Sequence, residues 1–345
     1  MFEYVGAIHI HSKFSDGSGD VAEIAQIANE VGLDFIILTD HNTLRALHEG
    51  YEKWYGNTLL LVGAELNDKV NRNHYLAMNI NKAFSTRLTA KEYVKKVGET
   101  GGIGFIAHPF EKRNSMKEHP PYPWTEWDAG EFTGIEIWNH MSEWMEGLTE
   151  QNKYNHFVHP LRSIVGPTKE TLEKWDELNI NRKVVGIGGI DAHAHKVNVL
   201  GFVEVEVFPY KVLFKSIRTH ILTKNKINKN DIEKSKKIIY ENLAYGRCFV
   251  ANHYHGDAKG FRFFANDGEK KYQMGDTIKE NNKIKLKVIL PKISGKINLI
   301  HNGKQISSIE NNEGSFIVSK KGNYRVEVYI DNKAWIFSNH IRIGN

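Results

Sequence analysis

The chain has 345 residues, 41% of them hydrophobic and 25% charged, enough apolar material for one large core or two smaller ones. Its 46 basic and 41 acidic residues leave a formal charge of only +5, which gives no cationic surface for stable nucleic-acid binding. The single cysteine, Cys248, excludes an internal disulfide and a thiolate metal cage and fits a reducing compartment. No apolar run approaches the roughly 18 residues of a membrane span, so the expectation is a cytoplasmic protein with no membrane partner.

In chain order, the first two-thirds alternate short apolar runs with helical patterns, as βα units do. Candidate strands are Val5–Ile10, Phe35–Thr39, Leu59–Glu65, His74–Ile80, Ile103–Ala107, Gly134–Trp138, Val184–Ile190 and Gly201–Val207. An amphipathic helix is expected over Val21–Val31, with Asp20 as N-cap and Glu23 completing a capping box. A second helix is expected over Thr89–Glu99, and Tyr210–Tyr245 reads as helical, with a basic run from Lys224 to Lys237. From residue 257 apolar and polar residues alternate between Asn-Asp-Gly, Asn-Gly and Lys-Gly-Asn turn signals. That pattern predicts a six- or seven-stranded antiparallel sandwich after a join at His255-Gly256-Asp257.

The chemistry is carried by two short pairs, His9-Ile10-His11 and Asp191-Ala192-His193. Each follows a β-prone run, and on a strand positions i and i+2 share a face, so each pair is expected to present both heads to one cavity. Further candidates sit at other strand ends: Asp16, His41, Glu65, His74 and His108. In a β/α barrel those ends form the site face. The set is nitrogen and oxygen only, which suits Zn, Mn or Fe and leaves the choice open. Asp16-Gly17 alone is merely a good turn, and His74, in a polar Asn-Arg-Asn-His stretch, could be an ordinary strand residue. Asp40 reads as a helix cap or as a residue orienting a ligand.

Taken together, His-Ile-His-Ser…Ser-Asp-Gly, Leu-Asp-Phe-Ile-Ile-Leu-Thr-Asp-His-Asn-Thr, Gly-Ala-Glu, Ala-His-Pro and Gly-Ile-Asp-Ala-His resemble the PHP (polymerase and histidinol phosphatase) superfamily. Within it they are most similar to the carbaryl-hydrolase-like (CehA/McbA-like) branch, over residues 5–255. The resemblance implies a distorted (β/α)7 barrel over residues 1–256, and the alternating pattern beyond it is read as a small Ig-like β-sandwich over 257–345. It also implies two or three divalent metals. His9, His11, Glu65 and Asp191 would hold the first, Glu65 would bridge to a second held by His74 and His108, and Asp16, His41 and His193 would hold the third. Glu65, Asp191 and His193 are then the catalytic candidates, around a metal-bound hydroxide nucleophile.

The substrate side is less specified. Arg113 and Lys112, just past His108-Pro109, are the first candidates for a phosphate, with Asn139 and His195 as further pocket residues. His140, His156, His159 and His253 read as structural or surface residues, His301 and His340 as isolated, and Arg325 and Arg342 as strand surface. The leading expectation is a hydrolase of small phosphomonoesters or nucleotide phosphodiesters. Two alternatives remain: carbamate or aryl-ester hydrolysis at the same site, and a non-catalytic, metal-stabilised binding module. Homo-oligomerisation is left open.

Overall fold

A computed structural model describes residues 1–113, 115, 120–199, 203–279 and 283–344, the side chains of 197–199 and 203–205 excepted. The first part runs β1 (Phe2–Ile8), α1 (Val21–Glu30), β2 (Phe35–Leu38), α2 (Arg45–His48), β3 (Trp54–Tyr55), β4 (Thr58–Val62), β5 (Ala64–Leu66) and β6 (Tyr75–Met78). It continues through α3 (Ala90–Glu99), β7 (Ile103–Ile106), β8 (Gly134–Asn139), α4 (His140–Gly147), α5 (Lys153–Val158), α6 (Lys169–Asn181) and β9 (Val185–Gly189). A hairpin of β10 (Lys196–Val199) and β11 (Val203–Glu206) precedes α7 (Tyr210–Leu213), β12 (Ile217–Thr223), α8 (Ile232–Tyr245) and β13 (Cys248–Asn252). The remainder is β: β14 (Arg262–Asn266), β15 (Lys271–Gln273), β16 (Thr277–Ile278), β17 (Ile284–Ile289), β18 (Gly295–His301), β19 (Lys304–Asn311), β20 (Glu313–Val318), β21 (Gly322–Ile330), β22 (Lys333–Ser338) and β23 (Ile341–Ile343). The protein is thus mixed α/β with several sheets. Among the described residues no helix is long and apolar enough to cross a membrane.

β1, β2 and β4 pair in parallel. The chain then passes through Gly63 into β5, which pairs antiparallel with β6, as β6 does with β7. β7, β8 and β9 are parallel. Beyond β9 the chain returns to the start: Ile190 N–H donates to the Ile8 carbonyl (3.0 Å), and Ile10 and Ala192 form a parallel bridge. Inside this strand circuit Ile8, Phe35, Ile37, Leu61, Leu76 and Phe105 are buried together, and Ile239 and Leu243 of α8 join them. Each such side chain contributes about 1.5–3 kcal/mol by leaving water. The β-branched and aromatic residues that mark these runs in sequence are the ones that fill it.

Three expectations need correction. Tyr210–Tyr245 is not one helical stretch, because Ile217–Thr223 is a strand pairing with β1 on one side and β13 on the other. Buried at every position but Arg218, Ile-Arg-Thr-His-Ile-Leu-Thr shows little β period, and the polar stretch after it hides the break. Asp20 does precede α1, but its side chain makes no cap; it pairs with Lys13 instead. A capping box forms at α3, between Thr89 and Glu92. Finally, Arg325 and His340 lie buried rather than exposed or isolated. The Arg325 guanidinium grips Asp176 of α6 through Nε and Nη2 (2.9 and 2.7 Å) and reaches Glu327 (2.7 Å), while His340 Nε2 lies 2.8 Å from Asp176.

The C-terminal β region is two-layered. The sheet β15-β14-β17-β20 faces strands of a second sheet across a core that includes Phe263, Leu286, Val326, Val328 and Trp335. That second sheet does not stop at residue 256, for β22 pairs with β13 (Phe249 opposite Ser338, Ala251 opposite Ile336). Hydrogen bonding therefore runs from β1 through β12 and β13 into the last strands.

Candidate metal centre

Nine side chains from seven segments meet just beyond the strand ends. Glu65, 1% exposed on β5, is at their middle. Its Oε2 lies 3.0 Å from His9 Nε2, 3.1 Å from His11 Nε2 and 3.5 Å from His41 Nδ1. Its Oε1 lies 2.7 Å from His74 Nδ1 and 3.3 Å from His108 Nε2. Asp191 Oδ1 is 3.4 Å from both His9 Nε2 and His11 Nε2. Asp16, half-exposed, completes the outer side: its Oδ2 is 3.3 Å from His193 Nε2 and 3.5 Å from His41 Nε2. Potential ligand atoms fall into three overlapping groups, each within 4.8 Å: His9, His11, Glu65 and Asp191; His11, Asp16, His41 and His193; and His41, Glu65 and His74. His108 approaches through Glu65 and stands outside these groups.

The convergence has a different local cause from the strand alternation expected. β1 ends at Ile8 and β9 at Gly189, so His9 and Asp191 stand beyond the strands. Both adopt left-handed backbone (φ 69° and 52°), as does His108 after β7 (φ 26°). Such a conformation costs a non-glycine residue of order 1–3 kcal/mol and persists where the surroundings enforce it. A kink at each strand end, rather than a shared strand face, turns the heads inward.

Buried hydrogen bonds fix these kinks. Glu136 on β8 accepts from His108 N–H through Oε2 (2.8 Å), and its Oε1 lies 3.0 Å from His9 Nδ1. Asp40 accepts from Ser12 N–H (2.7 Å), Ser12 Oγ–H (2.8 Å) and Ser15 Oγ–H (2.7 Å), pinning the turn that carries Asp16. The Tyr210 hydroxyl is shared between the carbonyls of His11 (2.8 Å) and His193 (3.0 Å). Glu136 escaped the sequence reading; the available signal was one acid inside the apolar run Gly-Ile-Glu-Ile-Trp. Tyr122 stacks on His74 with ring centroids 4.9 Å apart and 13° between planes. Nothing local in the sequence marks that contact.

The electrostatics are those of a site built around cations. Burial would raise the Glu65 and Asp191 carboxyls, but the surrounding imidazoles outweigh it and hold both well below the usual range. Burial likewise works against charge on His11 and His108, yet their carboxylate neighbours prevail and lift them to about 10 and about 9. His41 goes the other way, to about 4, because its burial dominates. His74 Nε2 and His108 Nδ1 are buried without a hydrogen-bond partner, and His11 Nε2 and His41 Nδ1 face Glu65 Oε2 without hydrogen-bond alignment. A buried orphan of this kind costs about 1–3 kcal/mol. Several imidazole nitrogens crowding two ionised carboxylates, with no Lys or Arg among them, fit ligation of divalent ions.

The substrate candidates are divided. Arg113 is largely buried and held by Glu111 (Nη2 to Oε1, 2.7 Å), with its guanidinium 5.5 Å from the centre of the Tyr122 ring that covers His74. Lys112 reaches the other way, to Glu170 of α6 (2.7 Å), both half-exposed. Asn139 caps α4 by accepting from Ser142 N–H and donates to Glu136 Oε2 (both 2.8 Å), so it braces the site from behind. His195 is exposed and stacks on His193 at 5.1 Å. His140 and His156 are buried, and His156 Nε2 lies 2.9 Å from the Trp144 carbonyl.

Residues 7–110 match the family model of the PHP domain, and the region matched carries seven of the nine clustered side chains. A curated relative, an uncharacterized protein of Methanocaldococcus jannaschii, is 26% identical over 116 residues, 30% of this chain. The chain spans 66% of that relative, just under two thirds of its length. Among solved structures, the chain is similar to a two-domain protein from Bacteroides vulgatus described as containing a predicted PHP-like metal-dependent phosphoesterase. That likeness has 16% identity and a TM-score of 0.46, and covers 98% of this chain and 95% of the other. It is also similar to an amidohydrolase from Chromobacterium violaceum (13% identity, TM-score 0.33, covering 55% and 87%). Neither likeness decides which bond is cut.

Proposed function

We propose that this chain is a divalent-metal-dependent phosphoesterase working at a di- or trinuclear site, on small phosphomonoesters or nucleotide phosphodiesters. The observation that carries this reading is Glu65: a buried carboxylate with an imidazole nitrogen from each of five histidines within 3.5 Å and, among the described residues, no lysine or arginine paired with it. His9, His11, Glu65 and Asp191 would hold one ion, His74 and His108 a second shared through Glu65, and Asp16, His41 and His193 a third. When bound, such ions acidify water and polarise the phosphoryl oxygens. The chain's part is to fix the geometry. Glu136 sets the His9 ring, Asp40 sets the Asp16 turn, and Tyr210 ties the His11 segment to the His193 segment. On the open side, exposed His195 and the Arg113–Tyr122 wall are placed to orient the ester and its phosphate, while Glu65, Asp191 and His193 surround the reacting centre. The strand circuit supports reading this part as a distorted seven-stranded barrel. The carbaryl-hydrolase-like branch and the Ig-like character of the sandwich belong to the same proposal.

The test is metal analysis of the purified protein, followed by turnover of bis-nitrophenyl phosphate, nitrophenyl phosphate and naphthyl carbamate with Mn, Zn or Fe(II). Phosphoester turnover that a chelator abolishes is expected. Carbamate turnover alone would move the assignment to acyl chemistry, and metal without any turnover would favour a binding module.

A further inference from the structure

β9 carries Asp191 and His193 just past its end, yet below its tip it has a strand partner on one side only, β8. On the other side it pairs with no strand among the described residues: β1 reaches it only from Ile190 onward. Buried main-chain groups left bare there would each cost about 1–3 kcal/mol, so something must meet them. Two side chains do. Thr219 of β12 accepts from Gly188 N–H and donates to the Gly188 carbonyl, both at 2.9 Å. Asn339, just after β22, accepts from Gly186 N–H and donates to the Gly186 carbonyl, both at 2.8 Å. The same amide also donates to the Cys248 carbonyl on β13 (2.9 Å). Each imitates the paired donor and acceptor of a neighbouring strand, at residues spaced by two, as a strand edge requires.

The glycines of this strand make the approach feasible. A Cβ on Gly188 would lie 2.5 Å from Val250 and 2.7 Å from Ile217, and one on Gly186 would lie 2.5 Å from Trp175. A Cβ on Gly189 would strike Glu136 Oε1, the oxygen that faces His9 Nδ1. Val-Gly-Ile-Gly-Gly-Ile-Asp therefore encodes a strand whose open edge is closed by side chains rather than by another strand. Asn339 is 3% exposed and belongs to the C-terminal β region, some 150 residues from the strand it completes.

We infer that Asn339 and Thr219 are positioning residues for the candidate metal centre: they act as a side-chain strand that holds β9, and so Asp191 and His193, in register with His9 and His11. The inference rests on the metal-site reading above, and it gives the C-terminal β region a direct part in that site.

Asn339→Leu and Thr219→Val remove the polar atoms at nearly constant volume, and Thr219→Ser keeps the hydroxyl. Val288→Ala loosens the C-terminal core on the far sheet and supplies a control for general destabilisation. In the metal-free proteins, amide exchange over residues 186–192 is expected to quicken at least tenfold in Asn339→Leu and Thr219→Val, but not in Thr219→Ser or Val288→Ala. Mn or Zn affinity, read by competition with a chromophoric chelator, should fall at least tenfold in the same two variants, and kcat should fall more than KM rises. If Asn339→Leu does not fold, Thr219→Val against Thr219→Ser decides. Unchanged exchange in both polar-to-apolar variants, or equal acceleration in Val288→Ala, overturns the inference. A wild-type protein that binds no metal would overturn the functional reading instead, and the exchange comparison would still judge the seam.

Discussion

Two buried clusters in this molecule use the same side chains to opposite ends. At the α6–β21 contact, Asp176 meets His340 and the Arg325 guanidinium, so the carboxylate finds its positive charge within the chain. At the strand ends, Glu65 and Asp191 meet only imidazoles, four of which keep a buried nitrogen without a hydrogen bond. The first is a closed account of charge, and it fastens a helix of the first part to a strand of the last. The second has no guanidinium or ammonium among the described residues, and under the proposal above divalent ions would supply its charge. The presence of a fixed guanidinium, rather than the count of acids and histidines, separates a staple from a receptor.

The sharpest break of that comparison is to remove one charge from each. Glu65→Gln should lower phosphoester turnover by three orders of magnitude or more and reduce bound metal, while the metal-free protein stays folded. Arg325→Met should do the reverse. It leaves Asp176 and Glu327 buried without their cation and should cost about 3–5 kcal/mol of stability, with turnover per folded molecule retained. A thermal melt beside an activity assay separates them. A Glu65→Gln variant that unfolds but keeps its turnover would make the strand-end cluster a staple too.

Protons sharpen the contrast. In the metal-free protein His11 and His108 sit at about 10 and about 9, above the ordinary imidazole value. A group raised in the folded state stabilises it fully below its unfolded value near 6.5, and that stabilisation is lost as pH climbs through the folded value. Metal-free stability should thus decline from about pH 7 towards pH 10. Metal ligation needs the same rings neutral, so affinity should rise over that window and binding at pH 7 should release protons. Calorimetry in two buffers of different ionisation heat measures the release. Asp176 behaves oppositely: Arg325 and His340 outweigh its burial and hold it low, so its contribution survives until the pH falls below about 3.8.

Much of the strand-end cluster was legible because its ligands sit in short, local strings, each next to an apolar run whose period gives away the strand. Thr-Asp-His and Ala-His-Pro announce themselves; the partners that orient them do not. Glu136, Tyr122 and Tyr210 reach the site through contacts spanning tens to hundreds of residues, which no window of sequence contains. The same holds for the staple. Arg325 sits in an alternating strand, where a charged residue ordinarily faces water, and only the packing of α6 makes its face an interior one. Ile217–Thr223 was lost for a related reason. A buried strand of seven residues between two helices has too little periodicity to outweigh its flanks.

The smallest expected effect concerns two neighbours that the sequence offers as equals. Lys112 and Arg113 both follow His108-Pro109, but the fold turns them apart. Lys112 is half-exposed against half-exposed Glu170, an ion pair that water and salt screen to little net worth. Arg113 is held between Glu111 and the ring that covers His74, where a planar, low-entropy fork is suited to a phosphate. Lys112→Ala should therefore leave kcat and KM within a factor of two. Arg113→Lys should raise KM for a phosphomonoester by about tenfold, because a point charge replaces the fork and its stacking, and should leave a naphthyl ester or carbamate unaffected. Equal effects from the two substitutions would mean that the wall beside His74 is packing alone, and that the ester is oriented from the His193–His195 side.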